Sequence, residues 1–221
     1  MVGNLTTGKK KYAAVEEEIL ALNARAEALR KRLEALVQAD ADAFTPLAAA
    51  YGLPRETPEQ QARKAAVLAE ALDGACAVPL DIMDACCEGI RLAADYAGKG
   101  SVLALSDAGC AALFCKAALQ ASALNVAINT KLMTDRAHAA ALDEKAARML
   151  AEYLPLADEV YQSVASRLRA DAEKGNVYVY HFEGRARRGR HERSKCRPLR
   201  RTAGKGHCPH AGRRPGGCAP R

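Results

Sequence analysis

Apolar or small side chains recur at Val15, Ile19, Leu22, Ala26, Leu29, Leu33 and Leu36, in alternating steps of four and three. That spacing keeps them on one face of a long α-helix. The charges at Glu16 to Glu18, Arg25, Glu27, Arg30, Lys31, Arg32 and Glu34 fall mostly off the stripe. Pro46 and then Gly52-Leu53-Pro54 close the region. Thr57-Pro58-Glu59-Gln60 is a helix start, with an N-cap hydroxyl, proline at the first helical position and an acid in the first turn. The helix it opens is expected to stop near Gly74, with Pro79 opening another that ends at Gly98-Lys99-Gly100. Ser106-Asp107 offers a further cap for an almost uncharged helix from Ala108 to about Asn129. Thr134-Asp135 caps a last helix reaching about Lys174, with Pro155 marking a bend. No segment of residues 1–174 keeps a period of two, and no long repeat appears. The pattern predicts an all-α antiparallel helical bundle over 1–174.

Residues 175–221 form a second region of different composition. The 221-residue chain carries a formal net charge of +7. From Gly184 to Arg221 there are 13 Lys and Arg against the single acid Glu192, so residues 1–183 carry a net −5. The basic character belongs to the tail, which excludes reading the whole chain as a nucleic-acid binder. Gly, Pro and Arg dominate that tail and no hydrophobic period survives, so it is expected to be disordered. No basic n-region leads into an apolar one at the start. No stretch of 18 residues is both apolar and charge-free, so no membrane span is expected. Cys76, Cys86, Cys87, Cys110 and Cys115 fall inside helical patterns and read as small hydrophobes of a reducing cytoplasm. Gly3 to Lys10 nearly matches a phosphate-binding loop, but Lys10 stands where a hydroxyl is needed and no strand precedes it. The His and Cys residues of the tail fit no metal-ligand spacing, so no metal is expected.

Asp40 is the informative residue. One step beyond Leu36 the stripe lands on Asp40, and the next reaches Phe44, so a carboxylate holds a position the pattern reserves for an apolar group. It is either a solvated helix end or a desolvated acid able to exchange a proton near neutral pH. Asn125 and Asn129 lie one turn apart on the uncharged helix, where buried amides need core partners or a polar ligand.

Several segments then acquire a joint meaning. Asn4-Leu5-Thr6, Gly8 to Tyr12, Leu36-Val37 with Asp40 to Phe44, Leu53-Pro54 with Thr57 to Glu59, Val78-Pro79-Leu80, Ser106 to Gly109 and Asn125 to Asn129 occur in this order. Together they resemble the formiminotransferase-cyclodeaminase C-terminal family, which includes stand-alone methenyltetrahydrofolate cyclohydrolases, over residues 1–173. The resemblance implies an all-α dimeric enzyme acting on the one-carbon bridge of tetrahydrofolate, with no permanently bound cofactor. One branch hydrolyses 5,10-methenyltetrahydrofolate to 10-formyltetrahydrofolate. The other expels ammonia from 5-formiminotetrahydrofolate. Cyclohydrolase is the expected activity and cyclodeaminase the alternative; an inactive helical interaction protein is the non-enzymatic one. The family's proposed catalytic aspartate falls on Asp40. Asn4, Ser106, Asp107, Asn125 and Asn129 become candidates for orienting the substrate, and Lys9, Lys10 and Lys11 for its glutamate carboxylates.

Two departures from the family pattern are expected to matter. Members carry a Pro-Gly-Gly-Gly-Ser loop and a small-residue helix ahead of the Asn-Leu-Thr motif, and here Met1 stands close before it, so a truncation that weakens activity is expected. The tail composition suits a GC-rich message read out of frame. Shifted by one nucleotide, its degenerate codons permit a stretch resembling the start of the bifunctional methylenetetrahydrofolate dehydrogenase/cyclohydrolase.

Overall fold

The computed structural model describes residues 1–173, and the expectations for the tail lie outside the described residues. Four long helices, α2 (Glu16–Tyr51), α3 (Pro58–Lys99), α4 (Leu105–Thr130) and α5 (Arg136–Glu173), follow a five-residue α1 (Val2–Thr6). Short 3₁₀ turns at Lys10–Val15 and Val102–Ala104 lead into α2 and α4. No strand occurs among the described residues, and the all-α bundle stands.

Cross-helix contacts give the register. Asn23 meets Tyr96 and Arg32 meets Asp84, so α2 and α3 run antiparallel. Gly89 lies against Cys115 while Ala75 meets Asn129, and Gly109 lies against Val164 while Thr130 meets Asp143. Hence α3 with α4, and α4 with α5, are antiparallel as well. The main core lies among α3, α4 and α5, around Met83, Ile90, Leu105 and Leu119. The α2 stripe forms a second cluster, with Ile19, Leu22 and Leu29 buried against Ala85 and Leu92 of α3. At the other end of α2, Leu47 and Ala50 pack on Leu72 and Cys76. A Cβ on Gly89 would stand 2.6 Å from the Cys115 sulfur, so glycine permits the close α3–α4 approach. Gly8 turns the chain at φ 71°, and its N–H donates to the Glu16 carboxylate at 2.9 Å.

Capping explains the helix ends. The Thr57 hydroxyl accepts from the Gln60 N–H while the Gln60 side chain accepts from the Thr57 N–H, a complete capping box. Asp135 caps α5 by accepting from the His138 N–H at 2.9 Å. Ser106-Asp107, expected to be a cap, lies instead inside the first turn of α4. Ser101 accepts from the Leu103 N–H to start the preceding 3₁₀ turn, and the cap position Ala104 has no side-chain bond.

The expected break between Gly74 and Pro79 is absent, because α3 continues through both residues. Proline has no N–H, so within a helix it orphans the carbonyl four residues back. For Pro79 that carbonyl belongs to Ala75, and the Asn129 side-chain amide donates to it at 2.9 Å. A partner from α4 thus replaces the missing helix bond. Pro46 and Pro155 are likewise carried inside α2 and α5.

Candidate active site

The sequence-predicted site residues divide between the two ends of α4. Asp107 and Asn125 are eighteen positions apart, which is about 27 Å along a helix at 1.5 Å per residue. They do not form one pocket within the chain.

At the N-terminal end, Asn4 and Asp107 line a cavity of ≈ 550 Å³ between α2, α3 and α4. Its walls are largely apolar, with Leu29, Leu33, Leu92 and Ala108 among them. Four of the polar groups there are paired with one another, while the Asn4 and Asp107 side chains have no hydrogen-bond partner among the described residues. The Tyr96 hydroxyl donates to the Asn23 amide oxygen at 2.7 Å, and Arg30 holds Glu27 at 2.7 and 2.9 Å. Lys9, Lys10 and Lys11 are exposed beside this end. Lys11 lies 5.5 Å from the Tyr12 ring centre, and the Tyr12 hydroxyl accepts from the Val102 N–H at 3.3 Å. Burial alone would raise the Tyr12 pKa; bonding to Ser101 and Val102 together with the Lys11 charge outweighs it and leaves the phenol below its ordinary value. Ser106 is half-buried in the first turn of α4, where the Asp107 charge faces the positive end of the helix.

At the C-terminal end, Asp40, Asn125 and Asn129 line one cavity of ≈ 190 Å³ together with Phe44, Pro79 and Ile128. Residues from α2 and α4, eighty-five positions apart, therefore meet around one space. The Asp40 carboxylate and the Asn125 amide have no side-chain hydrogen-bond partner among the described residues. Asn129 is half-buried and fixed by its bond to Ala75, so its orientation is set by the backbone of α3.

The stripe extrapolation needs one correction. Asp40 is exposed, because the residues of α3 that share its cavity, Ala75 and Pro79, are small and leave a gap rather than a lid. Burial within the single chain does not desolvate this carboxylate. Asp42, two positions on, accepts from the Gln38 amide at 2.8 Å on the outer surface of α2. The sequence reasoning also missed the part played by Pro79 and Ala75. The signal was available, since a proline inside a helical pattern names its orphaned carbonyl, but the donor lies fifty-four residues from that carbonyl.

No group of three His, Cys, Asp or Glu side chains is placed to hold a metal ion among the described residues. The five described cysteines are free thiols. Burial pushes the Cys86 thiol up to about 12, so it is inert, whereas Cys110 is exposed.

A carboxylate and two amides around a small space can orient a polar heterocycle and pass a proton to and from it. Similarity to known proteins points the same way. A family model described as formiminotransferase-cyclodeaminase matches residues 1–148. Methenyltetrahydrofolate cyclohydrolase of Methylorubrum extorquens is 41% identical over 168 residues, covering 76% of this chain and 81% of that protein. Formimidoyltransferase-cyclodeaminase of Mus musculus is 34% identical over 135 residues, which span 61% of this chain but only 25% of the mouse protein. The crystal structure of formiminotetrahydrofolate cyclodeaminase from Thermotoga maritima matches with a TM-score of 0.62 and 27% identity, covering 78% of this chain and 80% of that one.

Proposed function

The chain belongs to the formiminotransferase-cyclodeaminase family, and from that premise we propose that it is a folate-dependent one-carbon enzyme, a 5,10-methenyltetrahydrofolate cyclohydrolase giving 10-formyltetrahydrofolate. The observation that carries this reading is the 41% identity to a methenyltetrahydrofolate cyclohydrolase along three quarters of the chain. The second reading, formiminotetrahydrofolate cyclodeaminase, draws on the Thermotoga maritima structure and the mouse relative.

In the proposed reaction a water oxygen attacks the methenyl carbon and Asp40 takes one of its protons. The resulting tetrahedral carbon bears the new hydroxyl between N5 and N10. Its C–N5 bond breaks, N5 leaves with the proton that Asp40 returns, and the hydroxyl proton passes to solvent as the formyl group forms on N10. One carboxylate acting first as base and then as acid suffices for both transfers. Asn125 contributes an uncommitted amide to orient the ring, and Asn129 acts as a positioning residue through its bond to the Ala75 carbonyl. Asn4, Ser106, Asp107 and Lys9 to Lys11 lie at or beside the N-terminal end of α4, too far from Asp40 and Asn125 to share that ring within one chain. They are assigned to the glutamate-bearing part of the substrate or to holding α1 against the bundle. In this proposal the enzyme works in the cytoplasm as a homodimer, with a folate as its small-molecule partner, no resident cofactor, and no membrane or nucleic-acid partner.

The test is the methenyl absorbance. Purified protein is expected to remove it from 5,10-methenyltetrahydrofolate faster than buffer alone. Formation of methenyl absorbance together with ammonia from 5-formiminotetrahydrofolate, without hydrolysis, would select the cyclodeaminase instead.

A further inference from the structure

The cavity that holds Asp40 is built from three pairs of residues, each pair one helical turn apart. Asp40 and Phe44 come from α2, Ala75 and Pro79 from α3, and Asn125 and Asn129 from α4, with Ile128 beside them. Phe44 takes no part in the proposed proton transfers, yet it lines the same space as the acid and is 61% exposed. A single exposed aromatic is ordinary on a protein surface. What sets this one apart is its company.

The electrostatics of that space favour a cation. Asp40 is the one ionisable side chain lining it, and no Lys, Arg or His occurs among the lining residues. The Asn129 amide nitrogen is spent on the Ala75 carbonyl, which fixes the amide and leaves its oxygen as an acceptor. The face of an aromatic ring is the negative end of its quadrupole. Four residues along a helix span about 6 Å. A cation seated against Asp40 therefore comes within the roughly 6 Å over which a ring face attracts it. The larger cavity differs here too, because the Arg30 guanidinium lines it.

We propose that Phe44 is a specificity-determining residue: together with Asp40 it selects a one-carbon bridge that is a planar N–C–N cation over one that is neutral. This inference rests on the folate reading and adds what the site distinguishes. In 5,10-methenyltetrahydrofolate the positive charge is shared between N5 and N10 across the bridge carbon. In 5-formiminotetrahydrofolate the protonated formimino group is an amidinium of the same kind. The 10-formyl product is a neutral amide, because hydrolysis adds water and releases a proton. Phe44 holds the substrate by its charge and loses that hold once the charge has gone, so the product leaves more readily than the substrate.

A charged and a neutral bridge, compared in two variants, test this. Phe44→Leu keeps an apolar side chain and removes the ring face, and Phe44→Tyr restores the face. The position is exposed, so both variants are expected to fold, with circular dichroism as the check; should Phe44→Leu not fold, Phe44→Met takes its place. For 5,10-methenyltetrahydrofolate, KM in Phe44→Leu is expected to rise about 5–30-fold with kcat nearly unchanged, and Phe44→Tyr to return it close to the parent. For 5-formyltetrahydrofolate, whose bridge is a neutral amide, Kd from calorimetry is expected to change less than about threefold, since a neutral amide draws little from the ring quadrupole. If the enzyme turns over 5-formiminotetrahydrofolate instead, the KM for that amidinium is read in the same way. If it turns over neither, the calorimetric Kd of 5,10-methenyltetrahydrofolate replaces KM. Equal losses for the charged and the neutral bridge reduce Phe44 to an apolar contact and overturn the selection. No change for either, with Asp40→Asn still inactive, overturns the role of Phe44 and leaves the folate reading standing. A parent that binds neither folate overturns the folate reading and this inference with it.

Discussion

The two ends of α4 offer a contrast between space and chemistry. The N-terminal end holds the larger cavity, ≈ 550 Å³ against ≈ 190 Å³, yet its walls are mostly apolar. Its Glu27 is spent on Arg30 and its Asn23 on Tyr96. The C-terminal end has a third of the volume, but an uncommitted carboxylate and an uncommitted amide face it, and Asn129 is braced beside them. A group already bonded to its neighbour must break that bond before it can serve a substrate. Asn4 and Asp107 have no side-chain partner among the described residues in the larger cavity either, so the difference lies in placement. Asp40 and Asn125 stand on long helices around a confined space beside an amide fixed to backbone, whereas Asn4 stands on the five-residue α1.

The largest expected effect separates the two ends by activity. Asp40→Asn should lower turnover of 5,10-methenyltetrahydrofolate about 10²–10⁴-fold, the usual loss for a general acid–base. Asp42→Asn and Asp107→Asn should stay within a few-fold of the parent. The readout is the initial rate of methenyl absorbance loss. Equal losses at Asp40 and Asp107 would erase the contrast.

A second prediction concerns the brace. Asn129→Ala should destabilise the fold by about 1–3 kcal/mol, because the Ala75 carbonyl is left unpaired at a half-buried position. Pro79→Ala restores the missing N–H, so the same Asn129 change should cost clearly less in that background. Urea denaturation of the four proteins forms the double-mutant cycle. Additive losses would show that Asn129 does not answer for the proline.

The same pair of residues shows why the sequence was legible in some places and not in others. The Val15–Leu36 stripe and the Thr57 capping box are local signals, and each appears in the fold where the spacing puts it. The continuity of α3 through Pro79 depends on a donor from another helix, which no local pattern carries. Asp40 was singled out by its register, but its exposure depends on how small Ala75 and Pro79 are across the gap. Ser106-Asp107 misled because a serine five residues earlier starts the turn. Nothing in spacing alone distinguishes Asn125, which faces the cavity, from Asn129, which is bonded to backbone.

Smaller effects refine the picture. Thr57→Ala should cost about 1 kcal/mol by removing the cap of α3, read as a lower urea midpoint at unchanged slope. Burial pushes the Cys86 thiol up to about 12, while the unfolded thiol titrates near about 8.5. The raised folded value means this contribution is present below the unfolded value and lost as pH rises through and beyond it. Stability should therefore decline above about pH 8.5, less steeply in Cys86→Ala after allowance for its lost packing. Iodoacetamide at neutral pH should label Cys110 long before Cys86.

The position of a bound folate tests the account most directly. 5-Formyltetrahydrofolate, a stable reduced folate, should be seen by crystallography with its pterin ring between Asp40 and Asn125, at the C-terminal end of α4. A ring seated instead among Leu29, Leu33 and Leu92 beside Asp107 would contradict the assignment of the chemistry to the smaller cavity.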